Sequence, residues 1–495
     1  MELVKDKFSK LQEDFAIQYS SVFNDTLAEK AIVVIPSLTL DKDILSKIDG
    51  IVHYEERLLC LLMLLRMPKT HVIYVTSTPV DDVIIDYYLH LLPGITRYHA
   101  KKRLHFLSCS DTTSKSLTEK ILEQPALVQK IKSTIPAGFA AHLACFNVTY
   151  LEKELALQLQ LPIYGCNPNL WYWGTKSGSR SIFKTCGIPV PKGFEDLQNE
   201  EDIIDGLTAL YIQNPGIKKA VVKMNDGFSG DGNAIFAYHL IDKNIPIKEQ
   251  IKNQLPKILQ PVAKNLTYMH FIEKFISMGG IVEEFVVGHP VASPSVQCRI
   301  NPLGKIDIIS THDQILGGED GQIFLGACFP AENAYSIEIG ALGLKVAEQL
   351  KEKGVLGRFA IDFLSVKEND QWIHYAIEIN LRKGGTTHPY IMLQFLTDGN
   401  YCADKGNYLL PNGEERYYIF TDNLQDPVLK GLSPADLLDI AIYNGLHYDS
   451  TKQEGVMFHM IGALMEYGKL GIICIGESYT RAKELYKKTM GVLGL

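Results

Sequence analysis

Residues 354–389 read GVLGRFAIDFLSVKENDQWIHYAIEINLRKGGTTHP, and this stretch decides the fold. Two apolar, alternating runs, 359–366 and 372–381, flank the polar turn KEND, a pattern that predicts a β-hairpin. The sequence therefore predicts two antiparallel strands joined by a tight turn near Asp370.

Acidic and amide side chains converge on one face of this hairpin. Because side chains alternate across a strand, Glu378 and Asn380 share a face, and Asp362 lies opposite or diagonal to Glu378. Like charges in such positions destabilise a hairpin unless a cation lies between them. Mg²⁺ binds one or two carboxylates and completes its shell with water and substrate phosphates. The hairpin therefore predicts a magnesium–nucleotide site for phosphoryl chemistry, with the Asn380 amide oxygen as a third ligand and Arg382 as a permanent cation beside it.

The bulk composition is that of an ordinary globular protein. The 495 residues suggest about three domains, with 46% hydrophobic and 21% charged residues. A net charge of −8 argues against a nucleic-acid binder or an anionic-membrane binder. The longest apolar run, 58–65, is far shorter than the ~20 residues of a membrane span. With no signal-peptide pattern and no CxxC pair among the nine cysteines, we expect a cytoplasmic protein with reduced thiols.

The first part of the chain alternates strands with helices, which predicts an α/β layer with a parallel sheet. None of its turns carries GxGxxG or GxxxxGK[ST], so the pattern does not support dinucleotide binding there. The predicted strands are 31–35, 71–76, 104–109 and 143–148, and the predicted helices are 54–67, 83–92 and 149–160.

A lysine followed by a glycine-rich loop is the second chemical signal. Lys223 ends an apolar strand, and the loop NDGFSGDGN leads into another strand. Glycines let backbone amides approach phosphate oxygens closely. Because a strand follows, and not a helix, the loop is neither a Walker A loop nor a Rossmann fingerprint. A flexible nucleotide lid and a plain Gly-rich hairpin turn both remain open on this motif alone.

Together these parts resemble the ATP-grasp superfamily over residues 165–395. The resemblance implies two α+β lobes that clamp ATP and follow an N-terminal Rossmann-like α/β domain. It implies that Lys176 contacts the α-phosphate, that Lys223 contacts the α- and β-phosphates, and that Arg382 meets the transferred phosphate or the tetrahedral intermediate. The lid residues would be Gly227, Ser229, Gly230 and Gly232. The metal ligands would be Asp362, Glu378 and Asn380, which would hold two Mg²⁺ ions, with Mn²⁺ as an alternative metal.

The same resemblance implies a hinge strand that reads adenine. At Glu283-Glu284-Phe285-Val286, Glu283 would accept from the adenine amino group, and backbone atoms of Glu284 and Val286 would read the ring. The related segment Glu273-Lys274-Phe275 is an open alternative. No acidic residue stands near His289 to hold the ribose.

Short sequence motifs in the second half of the chain indicate a narrower resemblance. The chain is similar to the peptide ligases of the pheganomycin biosynthesis type in the motifs SPSVQ, STHDQILGG, GACFPA and EINLRKGGTTHP and in the tail GVMFHMIGAL. These are ATP-grasp carboxylate–amine ligases with a characteristic C-terminal domain. The resemblance implies substrate-side candidates at Ser295, Gln297, His312, Asp313, Gln314 and Thr387.

The sequence thus predicts an N-terminal α/β domain at 1–168, an ATP-grasp domain at 169–400 and a small C-terminal α+β domain at 401–495. The lid lobe would cover about 185–285 and the metal-binding lobe about 286–400. The implied activity is ATP-dependent joining of a small-molecule carboxylate and an amine, from an amino acid or short peptide, through an acylphosphate. A kinase acting on a small-molecule hydroxyl is the alternative. We expect no nucleic-acid or membrane partner, and a homodimer remains open.

Overall fold

The N-terminal part is the predicted α/β layer with a parallel sheet. The computed structural model describes residues 7–227, 232–240, 246–263, 266–317 and 323–495. The first strands pair in parallel in the order β3-β2-β1-β4. They are β1 (Lys30–Ile35), β2 (Thr70–Thr76), β3 (Leu104–Ser108) and β4 (Ala140–Cys145). The accompanying α-helices are α1 (Lys7–Gln18), α2 (Lys42–Leu45), α3 (Asp82–His90), α4 (Arg97–Lys101), α5 (Leu117–Leu122), α6 (Pro125–Thr134) and α7 (Tyr150–Leu159).

A buried 3₁₀-helix, Ile51–Arg66, carries the apolar run LLCLLMLL into the core. Leu58, Leu59 and Leu62 are almost fully buried in a cluster that includes side chains from the C-terminal part of the chain. Glu55, Glu56 and Arg57 are also buried. This helix therefore joins the N-terminal layer to the C-terminal part.

The middle of the chain forms an antiparallel sheet backed by helices. Its strand order is β5-β9-β6-β7-β8. The strands are β5 (Gly193–Leu197), β6 (Lys219–Met224), β7 (Asn233–Ala237), β8 (Gln260–Pro261) and β9 (Gly280–Glu284), and the helices are α8 (Lys176–Thr185), α9 (Glu200–Gln213), α10 (Ile247–Ile258) and α11 (Tyr268–Met278). A 3₁₀-helix, Pro168–Gly174, precedes α8.

The rest of the chain builds one large sheet, which runs from the predicted metal-binding lobe into the C-terminal part. Its order is β10-β14-β11-β12-β13-β18-β20-β19, with β15 paired to β14. The strands are β10 (Val291–Ala292), β11 (Pro294–Ile300), β12 (Ile306–Gly317), β13 (Ile323–Phe329), β14 (Gly357–Glu368), β15 (Gln371–Asn380), the separate pair β16 (Asn400–Cys402) and β17 (Asn407–Leu409), then β18 (Tyr417–Gln425), β19 (Gly455–His459) and β20 (Lys469–Gly476). The helices are α12 (Ser336–Glu352), α13 (Thr387–Thr397), α14 (Pro434–Tyr443), α15 (Leu464–Tyr467) and α16 (Tyr479–Val492). Pairing of β13 with β18 carries the sheet across the predicted boundary near residue 400.

The β14–β15 hairpin forms with the predicted turn. Asn369 and Asp370 both have positive φ, 48° and 64°, as a two-residue hairpin turn that follows strand twist requires. Asn and Asp tolerate this left-handed conformation better than most residues. The register pairs Asp362 directly with Glu378, so the expectation that these carboxylates face each other is confirmed. A bulge after Asp362 shifts the remaining pairs.

No helix in the described part of the chain is both long and apolar enough to cross a membrane.

Candidate active site

A cavity of about 640 Å³ is lined by side chains from the N-terminal layer, the middle sheet and the large sheet. Most of the nucleotide and metal residues expected from the sequence meet there. Those lining it are Lys176, Lys223, Gly227, Gly232, Glu283, Glu284, Phe285, Val286, Asp362, Glu378, Asn380 and Arg382. The lid residues Ser229 and Gly230 lie outside the described residues.

The paired carboxylates at the cavity wall are surrounded by donors. Asn380 Nδ2 lies 3.0 Å from Asp362 Oδ2 and 3.3 Å from Glu378 Oε1. Gln314 Nε2 donates to Asp362 Oδ1 over 2.9 Å, and the Lys176 ammonium contacts Glu378. Burial raises the pKa of Asp362, although hydrogen bonds and nearby cations partly oppose it. The like charges of the hairpin are therefore offset by amide and ammonium groups.

These side chains fit a magnesium ion by the chemistry of their oxygens. Two carboxylates present hard oxygen donors, which is the partial set that Mg²⁺ uses when substrate phosphates complete its shell. The Asn380 carboxamide turns its Nδ2 toward both carboxylates, so its oxygen would join this set only after the amide group rotates. The described residues contain no group of three or more His, Cys, Asp or Glu side chains that could hold a metal by themselves. The site thus suits an ion that a nucleotide shares, and it does not suit an all-protein cage.

Lys176 reaches the cavity from the first residue of α8. The Thr175 side chain caps this helix by accepting from the Gly178 amide over 3.0 Å. A Cβ at Gly178 would collide with the carbonyl oxygen of Tyr172, so glycine is required for the turn to pack. Burial, with the nearby charge of Lys223, lowers the pKa of Lys176 to about 8. An ammonium at a helix N-terminus is unfavourable, so an added phosphate anion would stabilise it.

Lys223 belongs to a buried cluster of charges that sequence reasoning did not find. Its Nζ lies 2.5 Å from Glu283 Oε1, and Arg180 Nη1 lies 2.8 Å from Glu283 Oε2. Arg180 also contacts Glu195 and the Pro191 carbonyl. Both oxygens of Glu283 thus face cations. In this arrangement Glu283 positions Lys223 at the cavity wall.

The hinge alternatives occupy different places. Glu284, Phe285 and Val286 follow or end β9 and line the cavity. The Glu284 N–H donates to the Lys192 carbonyl and the Phe285 N–H to the Lys219 carbonyl. The segment Glu273–Phe275 lies inside helix α11 and is absent from the described lining of the cavity. Of the two hinge alternatives, only the segment at the end of β9 thus lines the cavity among the described residues.

Arg382 lines the cavity just beyond Asn380, at the start of a glycine turn. The next residue anchors this turn to the N-terminal layer, because the Lys383 N–H donates to the Phe146 carbonyl over 3.1 Å and its ammonium contacts the Cys145 carbonyl. Among the described residues, Glu378 forms its ion pair with Lys176 and not with Arg382. Burial lowers the pKa of Arg382. Its guanidinium lies close enough to the Asp362 carboxylate to interact with it electrostatically.

The six substrate-side candidates divide into two groups. Ser295 and Gln314 line the cavity. His312 is fully buried with Nε2 2.7 Å from the Tyr418 hydroxyl, and burial lowers its pKa to about 3, as expected for a neutral core histidine. Asp313 accepts from the Tyr335 hydroxyl and the Glu332 amide.

The other two candidates also lie outside the cavity lining. Gln297 and Thr387 are buried and contact each other, with 3.2 Å between the Thr387 hydroxyl and Gln297 Oε1. Position along the sheet, and not strand alternation, separates His312 from the cavity. Ser295 pairs with both Asp362 on β14 and His312 on β12, but His312 is covered by Phe329 and Tyr418, whereas Asp362 lines the cavity.

Part of the cavity lining consists of residues that the sequence did not indicate. Tyr54 and Arg57 come from the 3₁₀-helix, Phe146 from the end of the N-terminal layer, and Asp422 and Asn423 from β18. The one available signal was the run Glu55-Glu56-Arg57 at the start of an otherwise apolar buried helix. Charged residues are seldom fully buried unless they are paired.

Comparison with known proteins assigns the class. Residues 169–260 and 242–403 match the family described as IQCH-like, ATP-grasp, and residues 436–489 match the PGM1 C-terminal domain. The same overall fold occurs in the biotin carboxylase of Campylobacter jejuni, with a TM-score of 0.56, 14% identity and coverage of 93% of this chain and 91% of that one. It also occurs in an N5-carboxyaminoimidazole ribonucleotide synthetase in its ADP complex, with a TM-score of 0.52, 12% identity and coverage of 94% and 98%. Residues 169–403 thus match an ATP-grasp family, and the chain has the fold of ATP-grasp enzymes.

A more particular similarity covers most of the chain. The chain is 27% identical over 445 residues to the L-propargylglycine–L-glutamate ligase of Streptantibioticus cattleyicolor. The alignment covers 87% of this chain and 88% of that protein. The chain is also 21% identical to the IQ motif-containing protein H of Danio rerio, over 99% of this chain and 50% of that protein.

Proposed function

We propose that this chain is an ATP-dependent carboxylate–amine ligase that forms a peptide or amide bond and releases ADP and phosphate. One observation carries the proposal. A single cavity brings together Lys176, Lys223, the Asp362–Glu378 pair and Arg382, and it extends beyond them to a polar wall suited to a second substrate. A curated relative of similar length bears the name of a ligase that acts on two amino acids.

The chemistry needs positioning and charge neutralisation, and it needs no protein nucleophile. A carboxylate oxygen attacks the γ-phosphorus of ATP, which gives an acylphosphate and ADP. The amine then attacks the acyl carbon and loses a proton, and inorganic phosphate leaves. Lys176 and Lys223 would hold the phosphates, and Arg382 would offset charge on the transferred phosphate or the tetrahedral oxyanion. Magnesium, when bound, supplies Lewis-acid neutralisation of the phosphate oxygens.

The cofactor details are part of the proposal. Asp362, Glu378 and Asn380 would hold Mg²⁺ in two ions, with Mn²⁺ as an alternative, since both are hard cations that accept oxygen ligands. The backbone at Glu284 and Val286 would read adenine, and the glycines Gly227 and Gly232 would approach the phosphates. Backbones at these glycines come close together, since a Cβ on Gly227 would lie 3.3 Å from the Gly232 backbone.

The proposed partners are small molecules, an amino acid or short peptide on each side of the bond. Nine free cysteines agree with a reducing compartment, so we propose that the protein works in the cytoplasm. A homodimer stays a prediction.

A kinase on a small-molecule hydroxyl is the alternative, and ADP release with acid-only and acid-plus-amine mixtures separates the two. The standard L-amino acids and short peptides are offered as probes, with hydroxylamine to trap an acylphosphate as the hydroxamate. We expect hydroxamate with hydroxylamine and a mass-spectrometric amide product with a true amine. A stable phosphoester formed without any amine would contradict the ligase proposal.

A further inference from the structure

A buried ion pair forms part of the cavity wall. Arg57 Nη2 lies 2.7 Å from Asp422 Oδ2, and both side chains are more than nine-tenths buried. Arg57 comes from the N-terminal 3₁₀-helix and Asp422 from β18, and both line the cavity. A buried pair of this kind is a weak contributor to stability, because desolvation offsets the attraction. Because the pair contributes little to stability, its position in the cavity wall indicates a role in function.

The guanidinium of Arg57 packs against an aromatic ring, and one of its N–H donors has no hydrogen-bond partner among the described residues. Its central carbon lies 4.2 Å above the Tyr54 ring, and the Lys469 ammonium donates to the Tyr54 hydroxyl over 2.7 Å. The neighbouring Glu56 accepts from the Gly462 amide, which fixes the helix to the C-terminal part. Arginine has five N–H donors, and Arg57 Nε is buried without a hydrogen-bond partner among the described residues.

The pair also lies beside the turn that carries Arg382. A Cβ built on Gly385 would lie 3.7 Å from Asp422 Oδ2 and 2.9 Å from the Phe324 ring. Gly385 follows Arg382 by three residues, and both line the cavity. A nucleophile held at Asp422 is thus close to the group proposed to meet the acyl intermediate, which is the proximity that a two-substrate reaction needs.

We propose that the Arg57–Asp422 pair binds the head group of a free α-amino acid, which is the amine substrate of the ligase. The α-carboxylate meets the Arg57 guanidinium, and the α-amino group meets Asp422. Such a substrate brings one charge of each sign, so neither buried charge is left uncompensated when it binds. This assignment rests on the proposed ligase function.

The short separation of the pair selects the class of amine. In an α-amino acid the amino and carboxylate groups share one carbon, which matches partners that are themselves in contact. Each additional residue of an extended peptide moves the carboxylate about 3.3–3.6 Å further from the amine. The pair therefore favours a free amino acid over a peptide, and it rejects amines that lack a carboxylate.

The test compares acceptors that differ only in the carboxylate. The acyl donor is first identified by hydroxamate formation with the standard L-amino acids, and each of these is then offered as acceptor beside its carboxamide. We expect the wild type to prefer the acid over the carboxamide by about tenfold to a hundredfold in kcat/KM, the range for one charged hydrogen-bonded contact. In Arg57→Gln this preference disappears, and the ratio of amino-acid product to hydroxamate falls by a similar factor.

Two further variants keep the test decisive. Arg66→Gln removes an arginine of the same helix that pairs with Asp398, away from the described cavity lining, and it should keep the wild-type preference. Arg57→Gln combined with Asp422→Asn removes both buried charges together, so it serves if the single variant unfolds. Loss of the preference in the double variant supports the assignment. Unchanged preference in either Arg57 variant overturns it, whereas no hydroxamate from any donor overturns the ligase proposal itself.

Discussion

Asp362 and Glu378 stand directly opposite each other on β14 and β15, and the Asn380 amide nitrogen lies within 3.3 Å of an oxygen of each. A pair of facing carboxylates is costly without compensation. Amide and ammonium donors supply it in this structure. We expect Mg²⁺ shared with ATP to supply it during turnover.

Glu378→Gln should therefore abolish turnover and keep the fold. The substitution removes a charge and preserves volume, and loss of a metal ligand costs several kcal/mol of transition-state stabilisation, so kcat should fall by about a hundredfold or more. ADP release and the thermal unfolding midpoint are measured together. Glu368→Gln, exposed at the end of the same hairpin, is the control and should behave as wild type. Wild-type turnover in Glu378→Gln would refute the metal assignment.

Lys223→Ala should raise the KM for ATP. Its ammonium lies at the cavity end of β6, where it faces Glu283, and a charge-assisted contact to phosphate is worth about tenfold or more in binding. Initial rates of ADP release against ATP concentration give the value, and the exposed Lys257 on α10 provides a matched control. An unchanged ATP dependence would contradict the phosphate role.

Glu283→Gln separates two roles for one carboxylate. If Glu283 accepts from adenine, the variant should lose its preference for ATP over GTP. The contacts with Lys223 and Arg180 favour a different result. We expect a raised KM for ATP with the ATP preference retained, and a destabilised fold, since breaking a buried ion pair costs about 3–5 kcal/mol. A competition assay between ATP and GTP, together with a thermal melt, distinguishes the adenine-contact role of Glu283 from its charge-pairing role.

The local parts of the site could be predicted from sequence because local rules govern them. The apolar alternation and the Asn369–Asp370 turn determine the hairpin register, and register alone puts Asp362 opposite Glu378. The end of β4 was predicted less well. The apolar run 143–148 suggested a strand there, but the strand is Ala140–Cys145, and Phe146 and Asn147 turn toward neighbouring segments.

The part of the cavity lining that contains Arg57 and Asp422 could not be predicted, because these residues come from segments distant in the chain. Arg57 and Asp422 meet only when the 3₁₀-helix packs on β18, and neither lies in a recognisable motif. The same holds for Arg180 with Glu283. His312 illustrates the opposite error. The family resemblance made it a substrate-side candidate, yet its ring is fully buried against Phe329 and Tyr418.

Glu55 should make stability depend on pH. Burial raises its pKa to about 7, and hydrogen bonds from the Ser77 hydroxyl and amide partly oppose this shift. Between the ordinary pKa of 4.5 and about 7 the folded state keeps a proton that the unfolded state has released. Stability from this group is therefore present at low pH and is lost as the pH rises through that window, by on the order of 3 kcal/mol in total.

Glu55→Gln removes this titration while keeping the shape of the side chain. We expect the thermal unfolding midpoint of the wild type to fall relative to that of Glu55→Gln between about pH 5 and pH 8, since only the wild type must bury a charge at the higher pH. Glu154→Gln, exposed on α7, controls for a change in net charge. A constant difference between wild type and Glu55→Gln across that range would show that the Glu55 carboxyl titrates alike in the folded and unfolded chain.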